Sequence, residues 1–246
     1  MSINLLGLAL LPTLVYCFII WFSMPIGSIE LKKIFKWFLA GCGSIAFLLW
    51  FKWLFPEWYI PGGLGLFSDV EEDNTFWLCL GQIGFVEELA KGLSFLIITR
   101  NGREHPITIM VGMGMVGLGF GFVENLSYAK IWGTDILWIR SLTALPFHLV
   151  LGLIWGWWIA SGNIREWGGR SRLGIWARKN PKGKFIAWGL CGFILVTILH
   201  GLYDFNLFMT SPSSTSLMFM QILTCLWIAY LGANNLVKRN RESNFL

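Results

Sequence analysis

The sequence predicts an all-α, polytopic transmembrane helix bundle with about seven membrane-crossing helices, and three observations predict it. Apolar residues make up 55% of the 246-residue chain and charged residues only 13%, with a mean hydropathy of +0.62, whereas soluble chains run nearer a quarter charged. Apolar runs of the ~20 residues needed to cross a bilayer recur along the whole length. The basic residues fall between those runs, in alternate loops, and do not line one helix face as a nucleic-acid-binding stripe would. The same composition excludes disorder, a collagen-like repeat and a secreted disulfide scaffold.

Seven stretches qualify as spans: residues 5–24, 34–55, 75–99, 106–129, 136–160, 185–208 and 215–237. The first has no Lys or Arg before Lys32 and no small-residue cleavage pattern, so a retained helix is expected and not a signal peptide. The second brings Trp50 and Trp53, with Trp58 beyond them, to the outer interface. The third lies between the acidic Asp69, Glu71, Glu72 and Asp73 and the basic Arg100 and Arg103. Gly112, Gly114, Gly117, Gly119 and Gly121 in the fourth, and Gly152 and Gly156 in the fifth, give the small-residue spacing of closely packed membrane helices. Pro146 is expected to kink the fifth just before His148, and Trp155, Trp157 and Trp158 approach the inner interface. The sixth follows a basic loop from Arg165 to Lys184, and the seventh ends at Lys238, Arg239 and Arg241.

The charge distribution sets the orientation. Fifteen of the nineteen Lys and Arg residues lie in the odd-numbered loops and the tail, against Lys52 and Lys130 on the opposite side. By the positive-inside rule the N-terminus is outside and the C-terminus cytoplasmic. The loops at 56–74 and 161–184 are too short to fold alone, so residues 1–246 form one integral-membrane domain. Cys17, Cys42, Cys79, Cys191 and Cys225 sit inside apolar runs without metal-ligand spacing and are expected as packing residues.

The ionisable residues inside the spans carry the chemistry. Glu87, Glu88, Lys91, Glu124, Arg140, His148, His200 and Asp204 all fall within apolar stretches. An Asp, Lys or Arg at a helix centre costs ~2.5–3.5 kcal/mol on the insertion scale, so these groups must face one another or a hydrated cavity. Glu87 and Lys91 are four residues apart, as are His200 and Asp204, which puts each pair on one helix face. Arg140 and His148 are eight apart, roughly two turns along one side of a helix. At ~1.5 Å per residue, Glu87 and His148 lie roughly 18 Å from the outer surface, and Glu124 and His200 reach overlapping depths. Four carboxyls against two fixed cations leave an excess of negative charge. Either some carboxyls stay protonated and can act as general acids and bases, or a divalent cation balances them. Singly, each residue also suits a structural ion pair, a snorkelling side chain or a helix-packing histidine; their joint occurrence on facing helices points to one site.

Four segments together resemble a known family. Glu87-Glu88-Leu89-Ala90-Lys91 resembles the EExxK motif of PrsW-family intramembrane proteases, and Phe120 to Glu124 followed by Asn125 is similar to their FxxxEN segment. Arg140 with His148 matches the spacing of a third motif, and His200-Gly-Leu-Tyr-Asp204 resembles the final HxxxD motif. The ordered set covers residues 75–210, which the resemblance marks as the catalytic core. In the related CAAX prenyl-endopeptidase and bacteriocin-processing group the second motif usually ends in histidine; Glu124 sets this chain apart from the prenyl-processing branch. The resemblance implies a protease of the bacterial cytoplasmic membrane that cuts a membrane-anchored protein, typically a single-span anti-sigma factor, with the lipid bilayer and no nucleic acid as further surroundings. No HExxH, GxSxG or GxGD pattern occurs, which argues against ordinary zincin, serine and aspartyl mechanisms.

The expected chemistry is water attack on a peptide carbonyl. Glu87 is the expected base, held by Lys91 and Glu88, and His200, oriented by Asp204, positions water or steadies the oxyanion. Asn125 is a further candidate oxyanion donor. Glu124, His148 and His200 are the candidate metal ligands, and such a set would suit Zn2+. Two rival functions remain at this stage. Intramembrane carboxylates and histidines also form proton relays in transporters, though no inverted repeat is visible, and a non-catalytic scaffold could retain the fold.

Overall fold

A computed structural model describes residues 3–23, 29–55, 72–99, 105–163, 181–209 and 212–243. Asp69, Glu71, Trp58, Arg100, Arg103, Arg165, Arg170, Arg172, Arg178 and Lys179, which help to orient the chain, lie outside these residues. Among the described residues every regular element is helical: α1 (Ile3–Ser23), α2 (Leu31–Leu54), α3 (Glu72–Trp77), a π-helical segment (Leu78–Phe85), α4 (Val86–Ile98), α5 (Pro106–Trp132), α6 (Ile136–Leu142), α7 (Ala144–Asn163), α8 (Pro181–Phe208) and α9 (Pro212–Ser243).

Six of the helical stretches are long and apolar enough to cross a membrane, one fewer than the hydropathy pattern predicts. The exception is the third, at 75–99. It is helical from Glu72 to Ile98 but divided into three parts by the π-helical segment, and it carries Glu87, Glu88 and Lys91 in one turn and a half of α4. Hydropathy senses the length of a run and not whether its hydrogen bonds close i→i−4 or i→i−5.

The span at 136–160 also departs from expectation. The chain does not kink at Pro146; it stops at Thr143 (φ −119°, ψ −76°) and restarts as α7. Pro146 therefore occupies the first turn of a new helix, where a missing N–H leaves no bond unmade. Thr143 Oγ1 donates back to the Ile139 carbonyl at 2.9 Å, and the Tyr16 hydroxyl of α1 donates to the Ser141 carbonyl at 3.0 Å. Arg140 and His148 thus belong to different helices and not to one continuous face.

Local sequence explains the helix that organises the rest. Pro106 opens α5, His105 caps it by accepting the Ile107 N–H at its Nδ1, and Gly133 at φ +87° closes it. In between, 83% of the membrane-length window of α5 is buried, against 11% for α1, so α5 is the central post and α1 a peripheral one. The predicted close packing of α5 on α7 is present. A Cβ at Gly117 would collide with the His148 carbonyl and one at Gly152 with the Met113 carbonyl. Trp155 is also not simply interfacial: it is buried, and its indole N–H donates to the Gly189 carbonyl of α8 at 2.8 Å. The outward side chains of α1, α2 and α9, such as Phe22, Trp53, Leu223 and Trp227, are large and apolar, a surface that suits acyl chains.

Candidate active site

The π-helical segment and α8 approach backbone to backbone. A Cβ on Gly201 would lie 2.6 Å from Leu80 Cα, and one on Gly84 would lie 2.9 Å from the Thr197 carbonyl oxygen. This glycine seam sets His200, next to Gly201, directly beside Glu87 and Glu88 at the start of α4.

Two polar clusters meet there. In the first, Glu88 Oε1 accepts from Lys91 Nζ at 2.7 Å and from His200 Nδ1 at 2.8 Å. Glu88 is fully buried and Lys91 almost so, and the Lys91 ammonium also lies 4.2 Å from the centre of the Phe120 ring, a favourable cation–π distance. In the second, Glu124 Oε2 is held by Arg140 Nη2 at 2.8 Å and His148 Nε2 at 2.7 Å. Arg140 Nε donates to Asn125 Oδ1 at 2.9 Å, and the guanidinium lies 3.6 Å from the centre of the Tyr128 ring. Lys91 Nζ joins the clusters, donating to His148 Nδ1 at 3.1 Å.

Every sequence-predicted site residue is therefore in one connected set, but with a division the spacing does not reveal. Lys91 pairs closely with Glu88 and only loosely, at 3.9 Å, with Glu87. Glu87 Oε2 instead faces His200 Nε2 at 3.6 Å, and Asp204 Oδ2 lies 3.5 Å from the same nitrogen. Both carboxylate oxygens are buried without a hydrogen-bond partner. Since a carboxylate can only accept, His200 donates its Nδ1 proton to Glu88; in the neutral ring Nε2 then carries a lone pair. Three acceptors converge with no donor between them among the described residues.

That convergence fits a cation, or a water molecule donating its two O–H groups to the carboxylates. Glu87, His148 and His200 each offer one ligand atom within 4.8 Å of the others, a carboxylate–bis-imidazole set of the kind zinc takes. The expected set had Glu124 in place of Glu87. Glu124 is instead tied by Arg140 and His148, because the break at Thr143 lets α6 and α7 approach that carboxylate from two sides. His148 has both nitrogens engaged and would exchange one bond to ligate.

Glu87, Glu124 and Asp204 line a cavity of about 250 Å3 shared by α2, the π-helical segment, α4, α5 and α8. Lys52 and Phe208, at the C-terminal ends of α2 and α8, also line it, at the side that the charge distribution assigns to the exterior. Asn125 is not on this wall; it is buried behind Arg140, so it supports the guanidinium and does not face the cavity. Tyr128 is on the wall. It lies four residues beyond Glu124, a spacing that could have drawn attention to it, but nothing in its residue type marked it out.

Residues 31–231 match the PrsW family intramembrane metalloprotease. Among curated proteins, the Protease PrsW of Oceanobacillus iheyensis is 24% identical over 79% of this chain and 86% of its own length, and that of Bacillus subtilis is 25% identical over 64% and 67%. The Protease PrsW of Shouchella clausii is 30% identical over 50% of this chain and 51% of its own. No solved structure matches the chain. With its four motifs converging from five helices and a family match over most of its length, this integral membrane protein is a peptidase that belongs to the PrsW family of intramembrane proteases.

Proposed function

We propose that the chain hydrolyses a peptide bond of a single-span membrane protein, of the anti-sigma-factor kind, on the outer side of a bacterial cytoplasmic membrane. The observation that supports this is the buried, unpartnered Glu87 Oε2, 3.6 Å from His200 Nε2, on a residue that lines the cavity while His200 lies buried behind it. A water lodged against these two atoms would lose its proton to Glu87 as its oxygen attacks the carbonyl carbon, and the protonated Glu87 would return that proton to the departing amine. Glu88, itself held by Lys91, fixes the His200 ring through Nδ1 and so directs Nε2 toward Glu87 and Asp204. Glu124, fixed by Arg140 and His148, shapes the opposite wall. Residues 75–210 form the catalytic core of this single membrane-embedded unit.

Zinc is the metal the donors suit; Glu87, His148 and His200 would hold it, with Glu87 then serving as a ligand and not as the free base. When bound it would polarise the scissile carbonyl and make a coordinated water a stronger nucleophile at neutral pH.

The test is cleavage of a reporter with one transmembrane anchor by purified enzyme in liposomes. Glu87→Gln and His200→Ala are expected to abolish cleavage while the protein remains folded; wild-type activity in both ends the assignment. One equivalent of metal in the purified protein, lost together with activity in chelator, is expected on the zinc reading, and full activity in metal-free protein ends that part alone.

A further inference from the structure

Attack on an amide carbonyl develops negative charge on its oxygen, and a protease site needs a donor aimed at that atom. The two cations of this site are poorly placed for it. Lys91 is almost wholly inaccessible and committed to Glu88 and His148, and Arg140 is buried and committed to Glu124 and Asn125. Asn125 is behind Arg140. Glu87, Glu124 and Asp204 on the cavity wall are acceptors when ionised.

Four side chains with donors do line the cavity: Lys52, Gln82, Ser127 and Tyr128. Lys52 is exposed at the C-terminal end of α2. Ser127 is exposed and turns its hydroxyl back to the Val123 carbonyl at 3.1 Å. Gln82 belongs to the π-helical segment and precedes Glu87 by five residues, on the same wall as the base. Tyr128 differs from all three. Like Gln82 it is half-buried, but it lies one helical turn beyond Glu124 on α5, and its hydroxyl makes no hydrogen bond to any described residue. Its ring is backed by the Arg140 guanidinium at 3.6 Å. That contact fixes the ring in place beside the cavity.

We infer that Tyr128 is a catalytic residue that donates its hydroxyl to the substrate's carbonyl oxygen, with a membrane-embedded peptide lying between Glu87 on α4 and Tyr128 on α5. This rests on the hydrolytic assignment of the cavity made above. As water oxygen bonds to the carbonyl carbon, the C=O π pair moves onto oxygen, and Tyr128 stabilises it by a hydrogen bond without transferring its proton. The pair returns as the C–N bond breaks, and the hydroxyl is released unchanged.

The experiment is steady-state cleavage of the single-anchor reporter by Tyr128→Phe, with Glu87→Gln alongside. Phenylalanine keeps the ring over Arg140 and removes only the hydroxyl. Loss of one preorganised oxyanion donor is expected to lower kcat about 100-fold, with KM, melting temperature and bound metal unchanged. Wild-type kcat in Tyr128→Phe with an inactive Glu87→Gln overturns this inference and leaves the hydrolytic assignment standing. A raised KM at unchanged kcat overturns it too, because it marks ground-state contact. An active Glu87→Gln defeats the assignment, and the inference with it. Should Tyr128→Phe fold poorly, 3-fluorotyrosine at the same position preserves size and makes the hydroxyl a stronger donor; a changed kcat at unchanged KM is expected, and wild-type kcat overturns the proposal.

Discussion

His148 has both ring nitrogens engaged within the protein, Nδ1 3.1 Å from Lys91 Nζ and Nε2 2.7 Å from Glu124 Oε2. An ammonium has no lone pair, so Nδ1 must accept, which leaves Nε2 to donate. The neighbours therefore dictate one tautomer, and the ring joins α4, α5 and α7. Replacing it by alanine removes a partner from the buried Lys91 and the half-buried Glu124 at once. His148→Ala is expected to cost about 1–3 kcal/mol for each group left short, read as a lower melting temperature in detergent, together with loss of cleavage. A variant with unchanged stability would remove the ring's role as a strut.

Lys91 and Glu88 form a buried pair, and such pairs are defined more by the cost of breaking them than by net stabilisation. Lys91→Met leaves the buried Glu88 carboxylate with only the His200 N–H as partner and no compensating cation beside it, and is expected to destabilise by about 3–5 kcal/mol. Adding Glu88→Gln removes the stranded charge, so the double variant is expected to regain much of that loss. Equilibrium unfolding of the four proteins gives the coupling, and strictly additive losses would show that the two charges do not depend on each other.

Arg140 does two jobs through one planar fork, gripping Glu124 through Nη2 and Asn125 through Nε. Lysine carries the same charge on a single atom and cannot reproduce that geometry. Arg140→Lys is expected to lower kcat about 10–100-fold, as loss of a supporting partner does in metal sites, with little change in stability. Cleavage rates at saturating substrate decide it, and wild-type turnover would place the orientation of Glu124 outside the reaction.

The apolar runs and the motif residues were legible because both are one-dimensional signals. A membrane span needs only length and composition, and charges within one need partners somewhere. What the sequence hid is what depends on backbone geometry. The π-helical segment between Trp77 and Val86 is apolar as an α-helix would be, yet its close backbone approach to α8 at Gly84 and Gly201 is what sets His200 beside Glu87. The break at Thr143 falls three residues before Pro146, the residue that signalled a disturbance, and it brings Arg140 and His148 to one carboxylate from separate helices. Glu124 accordingly looked like a metal ligand when only its residue type was visible. Tyr128 went unremarked because a tyrosine in an apolar run is ordinary until its ring is seen over a guanidinium.

The packing of α5 against α7 gives the last prediction, with an internal control. A Cβ on Gly117 would overlap the His148 carbonyl oxygen, and that atom belongs to a helix backbone that cannot move aside independently. Gly117→Ala must therefore push α7 away from α5 and carry His148 off Glu124 and Lys91. Overpacking of this kind costs about 1–3 kcal/mol, and cleavage is expected to fall with it. Gly43 sits in α2 with nothing within 4 Å of the position a Cβ would take, so Gly43→Ala removes only backbone freedom and is expected to be neutral or stabilising by up to ~1 kcal/mol. Thermal melts of the two variants side by side separate the effect of helix spacing from that of glycine content, because intrinsic helix propensity favours alanine at both positions while only position 117 has a backbone oxygen in the way.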